Sequence, residues 1–435
     1  MRTIKFNISH ILFYILLFLP IYQDSHLYYI FGSYGHAPVA IISILIFFYC
    51  LFKKKIIKNP FFIILKKLIF IILLITSIST IIYCINNKSI YYLSENLITK
   101  SFRGPLFFIS ISAYIVSFVS LGNTINVNNI LKSYKNIFIL LFIIMIIEAL
   151  TLPNAFSFLH ATRPYNYYRI RLLSSEASWT TTIIILYYIL ALAYCIKNSK
   201  IYQIYIYTII LLLFIVFSSS KSLLICIMLL FILLALFGMK QMTKNKLLIY
   251  LIGIIILLLG INLYNDKVIS LFEADITNST SISTRIFSIY TGIKLFFKNP
   301  LGYGTSIYFP AIREAYINNL NIFSKFKWFN SRELIGLIVS KNDTSLAIKS
   351  GFFQYSLYWG IIGTLLFIKF FIKLYVSINK LSLNVNEKNI YKVGIIIMLI
   401  YIIFVSSFDY KFELWSFISY IILLINKNAS RGEAK

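Results

Sequence analysis

Ser283-Thr-Arg-Ile-Phe-Ser-Ile-Tyr-Thr-Gly-Ile-Lys-Leu-Phe-Phe-Lys-Asn-Pro-Leu-Gly-Tyr-Gly304 lies within residues 266–349, the one long interval of the chain with no segment apolar enough to span a bilayer. Where other connections are short, a loop of roughly 80 residues is either functional or disordered. Trp328, eight Phe and four Tyr lie in the interval, and disordered segments are poor in aromatic residues. The interval therefore reads as a folded extramembrane cap over a site built by the helices around it.

Those surroundings read as membrane. Hydrophobic residues make up 59% of the chain and charged residues only 13%, against about 25% charged in soluble domains; mean hydropathy is +0.83. The 33 Tyr, 39 Phe and abundant Ile and Asn fit an AT-rich, bacterial genome. A net charge of +27 raises the question of nucleic acid, but no basic, aromatic-interleaved soluble module is present. Most Lys and Arg sit between apolar runs, where they set topology and attract anionic membrane lipid, so no nucleic-acid partner is expected. Cys50, Cys84, Cys195 and Cys226 all fall in apolar runs at spacings that fit neither zinc nor a disulfide framework. Arg2 and Lys5 precede an apolar run without a small-residue cleavage site, which makes that run a first helix rather than a signal peptide.

A hydrocarbon core of about 30 Å needs about 20 apolar residues in a helix. Spans are expected at roughly 8–23, 37–52, 66–85, 105–121, 136–152, 179–196, 201–217, 222–238, 247–264, 350–372, 391–408 and 412–426. The fold class is thus an all-α polytopic membrane protein of about 12 helices. Residues 1–265 hold helices one to nine and an Arg-rich loop at 153–178, residues 266–349 hold the long loop with amphipathic helices, and residues 350–435 hold helices ten to twelve. With a cytoplasmic N-terminus the inner connections carry 22 Lys and Arg and the short outer ones 8. By the positive-inside rule both termini are cytoplasmic. The long loop is then periplasmic and the location a bacterial inner membrane.

Some cations stand on the disfavoured outer side. Arg169, Arg171 and Glu176 lie where loop 153–178 leads into a helix, and Lys221 closes the polar turn Ser218-Ser-Ser-Lys221. Glu176 and the arginines could be an ion pair trimming a helix start, worth about 0.3–1 kcal/mol. Alternatively they form an anion site, since guanidinium forks bind phosphate bidentately and helix amides add to the field. Arg285 opens a run with helical periodicity that suits an amphipathic interfacial helix, which Asn299-Pro-Leu-Gly-Tyr-Gly304 would end as a turn. No P-loop occurs. His10, His26, His36 and His160 match no ligand spacing, and Asp343 and Glu314 lack visible partners, so neither a metal nor a cofactor is expected. Glu148 is the one clear acid within an apolar run, and no internal repeat is seen, which argues against a transporter.

From about Arg163 to Gly363 the order of these pieces resembles the O-antigen polymerase and ligase superfamily of bacterial envelope proteins. Arg169 to Ser178 is similar to the family's Arg followed by Ser-x-Glu-Pro-Ser, and Ser218 to Ser222 to its Ser-x-Ser-Lys turn. Arg285 to Gly304 is similar to its Arg followed by Asn-Pro-x-Gly-x-Gly, and Gly360-Ile-Ile-Gly363 to its closing Gly-Ile-x-Gly. Two positions depart: Ala177 replaces Pro, and Lys349 stands where ligases carry a His. The resemblance implies a GT-C-like architecture and a metal-independent glycosyltransferase. It would polymerise undecaprenyl-pyrophosphate-linked oligosaccharide repeat units at the periplasmic face, working with a chain-length regulator protein. In such a reaction Arg169 and Arg285 would stabilise the leaving pyrophosphate, Arg171 and Lys221 would help bind it, and Glu176 would be the general base. The alternatives are O-antigen ligation and a flippase for the same lipid-linked unit.

Overall fold

The computed structural model describes residues 8–162, 167–218, 220–238, 280–326, 329–339, 347–404 and 410–432. The expected span 247–264, Arg163, Trp328 and Asp343 lie outside the described residues. The chain runs α1 (Ile8–Phe18), α2 (Tyr28–Phe31), α3 (Pro38–Phe52), α4 (Pro60–Asn87), the hairpin β1 (Tyr91–Tyr92) and β2 (Glu95–Asn96), α5 (Leu97–Gly122), α6 (Val127–Thr151), α7 (Thr180–Lys197), α8 (Ile201–Ser218) and α9 (Lys221–Gly238). It continues as α10 (Thr280–Lys298), α11 (Gly304–Phe323), α12 (Arg332–Val339), α13 (Gly351–Asn379), α14 (Val385–Phe404) and α15 (Phe412–Gly432). The long helices start on local chemistry: Asn59, Asn96 and Asn126 cap α4, α5 and α6 by accepting from Phe61, Thr99 and Asn128 amides at 2.9, 3.0 and 2.8 Å. Each such cap satisfies an amide left over at a helix start.

Five described helices are long and apolar enough to cross a membrane, or six if the pair Tyr28–His36 and Pro38–Phe52, bent by 83°, counts as one; three shorter apolar helices accompany them. The protein is therefore an all-α, multi-pass membrane protein. The central helix is α7, apolar all round and buried along its length, as a helix inside a bundle must be. By contrast α4 leaves Ile63, Phe70, Ile78, Ile81, Ile82 and Ile85 exposed, a surface that only lipid covers without cost. At one end of the bundle Asn123 meets Asn426, Lys427 donates to the Ile125 carbonyl and Asn198 meets Asn128. The start of α1 is there too, with Ser9 bonded to Lys55. At the other end, here the site end, the connections around Asp24, Thr162, Trp179 and Lys411 come together.

Part of the interval 266–349 enters the bundle. Helices α10 and α11 form a hairpin between α4, α5 and α13, and the turn Asn299–Tyr303 is spliced into α13 itself. At Gly360 (φ 62°, ψ −166°) α13 breaks. The Ile361 amide donates to the Pro300 carbonyl at 2.7 Å, and the Leu357 carbonyl accepts from the Tyr303 amide at 2.7 Å. One bond of the helical ladder is thus replaced by two between elements, so the kink leaves neither group unpaired in an apolar setting. Glycine is required on both sides: a Cβ at Gly360 would overlap the Leu301 carbonyl, and one at Gly302 (φ 94°) would lie 2.6 Å from the Gly360 nitrogen. The turn also rests on α4, where Thr305 donates its amide to Thr76 at 3.1 Å and Ser79 donates to the Tyr303 carbonyl at 2.8 Å. Measured from Asn87, Leu97 and Gly351, it lies roughly 10–16 Å below the site end of the helices at 1.5 Å per residue.

Gly360→Ala forces a left-handed alanine against the Leu301 carbonyl and is expected to cost roughly 2–5 kcal/mol. Gly336→Ala, at an exposed position of α12 with nothing near its added methyl, should be neutral or stabilising by up to about 1 kcal/mol. Thermal unfolding of the two variants in detergent checks the contrast.

Candidate functional site

At the site end a buried scaffold holds the approach to α7. Glu148, near the end of α6 and buried, accepts the backbone amides of Arg171 at 2.9 Å and Leu172 at 2.7 Å. Arg171, 2% exposed, donates from Nη1 to the Thr162 carbonyl at 2.9 Å and lies 4.8 Å from the centre of the Tyr167 ring. The Tyr167 hydroxyl in turn accepts the Ala177 amide at 3.0 Å. Arg171 therefore ties down the loop that carries it.

Beside this knot, Asp24 is fully buried. His160 donates from Nδ1 to it at 3.0 Å, and the Thr162 amide and hydroxyl donate at 3.1 and 2.9 Å. Burial by itself pushes the carboxyl up, but the His160 and Thr162 hydrogen bonds, with the His36 ring nitrogen 3.8 Å away, outweigh it and hold Asp24 at about 2. These partners come from loops far apart in sequence and clamp the segment before α2 to the segment before α7.

A second buried group completes the floor. Trp179 stacks on Tyr410 with centroids 4.8 Å apart. Lys411, fully buried, lies 4.9 Å from the Trp179 ring centre and 5.6 Å from that of Tyr401, donates to the Trp179 carbonyl at 3.4 Å and pairs with Glu413 at 3.9 Å. Glu413 also accepts from the side chains of Gln23 and Thr182. A carboxylate and an ammonium survive burial together because each is paired and hydrogen-bonded.

The expected site residues are arranged around this floor. Glu176 is half-buried on the approach to α7, with Ser178 donating to its Oε2 at 3.5 Å, and Arg169 is exposed on the same segment. Arg285, half-buried on α10, comes within electrostatic reach of the Tyr401 phenol, whose hydroxyl donates to the Ser178 carbonyl at 3.4 Å. Lys349 sits one helical turn from Arg285: its amide donates to Ser288 at 3.1 Å, and its ammonium lies 3.7 Å from Glu333, which accepts from Thr284 at 2.9 Å. Lys221 begins α9, and its side chain lies outside the described residues. Among the described residues no group of three or more His, Cys, Asp and Glu could hold a metal ion.

Sequence reasoning passed over Asp24, Lys411 and Glu413. The one available signal was the charged break at residues 409–413 between two apolar runs; the partners of these charges, Gln23 and Thr182, are far away in the chain.

Lys411→Met strands Glu413 as an uncompensated buried charge and is expected to cost about 3–5 kcal/mol, part of which Glu413→Gln in the same chain recovers; melting in detergent reads both. Asp24 titrates at about 2 in the folded protein against an ordinary value of 3.8. Its contribution, on the order of 2 kcal/mol, is complete above about pH 4 and lost as pH falls toward 2. Melting temperatures across that window should fall in the parent and show a shallower slope in Asp24→Asn.

Residues 206–368, from α8 into α13, match the family model described as O-antigen ligase. That stretch is similar to a domain of the O-antigen polymerase and ligase superfamily, whose members are glycosyltransferase-like enzymes acting on lipid-linked glycans. No curated protein and no solved structure matches the chain.

Proposed function

We propose that this chain is a polysaccharide polymerase of a bacterial inner membrane, with about 12 spans in a GT-C-like arrangement. Both termini lie in the cytoplasm and the site end faces the periplasm. It transfers a growing glycan from undecaprenyl pyrophosphate to a hydroxyl of the incoming lipid-linked repeat unit, without metal or cofactor, as O-antigen or capsule is built. A chain-length regulator is the expected protein partner. The observation that carries this reading is Lys349, at the position of the ligase His: its amide is bonded to Ser288, on the helix of Arg285, and its ammonium is paired with Glu333.

In the reaction an acceptor hydroxyl oxygen bonds to the anomeric carbon of the donor. The carbon–oxygen bond to pyrophosphate breaks, its electron pair stays on the leaving oxygen, and the hydroxyl proton passes to Glu176. Arg169 and Arg285 stabilise the charge that grows on the pyrophosphate. Lys221 adds to the field, and Arg171 contributes its charge from behind while it holds the segment of Arg169 in place. Ligation is the second reading, favoured by the description of the family model. Against it, the position of the ligase His holds an ammonium committed to an ion pair. A flippase for the same lipid-linked unit is a third.

Deletion should leave single repeat units on the core and no ladder on a gel that resolves chain length. Polymer stranded on its carrier with naked core would mean a ligase, and repeat units trapped in the cytoplasm a flippase. Arg285→Ala and Arg169→Ala should each lower polymer formation roughly 100- to 1,000-fold with the protein still in the membrane, and Lys should rescue poorly for want of the bidentate fork. Normal long polymer from Arg285→Ala would sink the phosphate clamp.

A further inference from the structure

The far end of the α10–α11 hairpin carries a feature that the transfer reaction does not use. Between the C-terminal half of α10 and the face of α11 opens a cavity of about 280 Å³, lined by Lys294, Lys298, Asn299, Tyr303, Glu314 and Asn318 among others. Lys294 is aimed by a 2.8 Å bond to Asn319, which is itself buried and bonded to Thr291. Lys298, Glu314 and Asn318 are exposed. Beside the lysines, Ile286, Tyr290, Ile293 and Phe297 form an exposed stripe on α10 that Leu301 continues. Their spacing of three and four residues places them on one face of the helix. This helix packs along α13 with its turn below the end of the bundle, which sets Ile293, Phe297 and Leu301 at the depth of the bundle's apolar helices. Arg285 lies roughly 13–20 Å away along α10 at 1.5 Å per residue.

A polar trough bordered by an exposed apolar stripe selects an amphiphile. Its two ammoniums call for a phosphate, and its single carboxylate calls for a cationic or hydrogen-bond-donating group on the same head. With two positive charges against one negative, the trough suits one phosphate with an amine better than a pyrophosphate. We infer that the α10–α11 trough is a phospholipid site, with the phosphate on Lys294 and Lys298, the amine of a phosphatidylethanolamine headgroup on Glu314, and the acyl chains along Ile293 and Phe297. The occupied site fixes the depth at which the hairpin sits in the membrane. This inference does not rest on the polymerase reading.

Native mass spectrometry of the detergent-purified full chain, supplied with phosphatidylethanolamine, phosphatidylglycerol or undecaprenyl pyrophosphate, tests it. The parent should retain phosphatidylethanolamine, and K294Q/K298Q should retain about 30-fold less, at roughly fivefold per cation near a lipid surface. E314Q, at an exposed position that does not endanger folding, should lose its preference for phosphatidylethanolamine over phosphatidylglycerol. Undiminished retention in K294Q/K298Q, an unchanged preference in E314Q, or a parent that holds undecaprenyl pyrophosphate and no phospholipid would each overturn the assignment.

Discussion

The exchange of backbone hydrogen bonds at Gly360 is the constraint on which the rest of the site end depends. A helix in lipid cannot afford an open amide and carbonyl, because no water is present to replace the lost partner. Here the turn Asn299–Tyr303 supplies both replacements, Pro300 accepting from Ile361 and Tyr303 donating to Leu357. Two glycines with positive φ, Gly302 and Gly360, let the backbones approach closely enough for this to happen. The motif Asn-Pro-x-Gly-x-Gly and the distant Gly-Ile-x-Gly are therefore two halves of one joint, and neither has a meaning by itself.

From that joint the position of Arg285 follows. With its turn locked to α13 and to Thr76 and Ser79 of α4, helix α10 has one course, and Gly292 lets it lie against Ile348 and Phe353. Arg285, at the other end of α10, is then held within electrostatic reach of Tyr401. A rigid helix carries a cation to a site from an anchor remote from that site, which is how catalytic groups gain precision beyond what a loop allows.

The scaffold beneath the site obeys the same rule of paired burial. Glu148 spends its charge on two backbone amides, Asp24 on His160 and Thr162, and Glu413 on Lys411, Gln23 and Thr182. Apart from Lys411 with Glu413, these pairings join segments far apart in the chain, so the charges act as registration marks between helices as much as sources of stability. Arg171 belongs with them: its guanidinium is used by Thr162 and Tyr167, while Arg169, two residues earlier, is exposed.

Periodicity and composition determined what was local: apolar runs that must be helices in lipid, the amphipathic course of Arg285 to Lys298, and the motif pieces from Ser218 to Gly363, which lie within the matched residues 206–368. These are legible because a helix of 3.6 residues per turn writes its environment into neighbouring positions. Tertiary structure alone decided what depends on distant partners. It set the insertion of α10–α11 between other helices, the break of α13, the burial of Arg171, and the meeting of Glu413 with Gln23 and Thr182. In a chain this apolar most segments can pack against most others, so hydrophobicity selects helices but not neighbours. The neighbours are chosen by a few backbone groups and charges that have one place each in which all their partners are met, and such places exist only once the chain is folded.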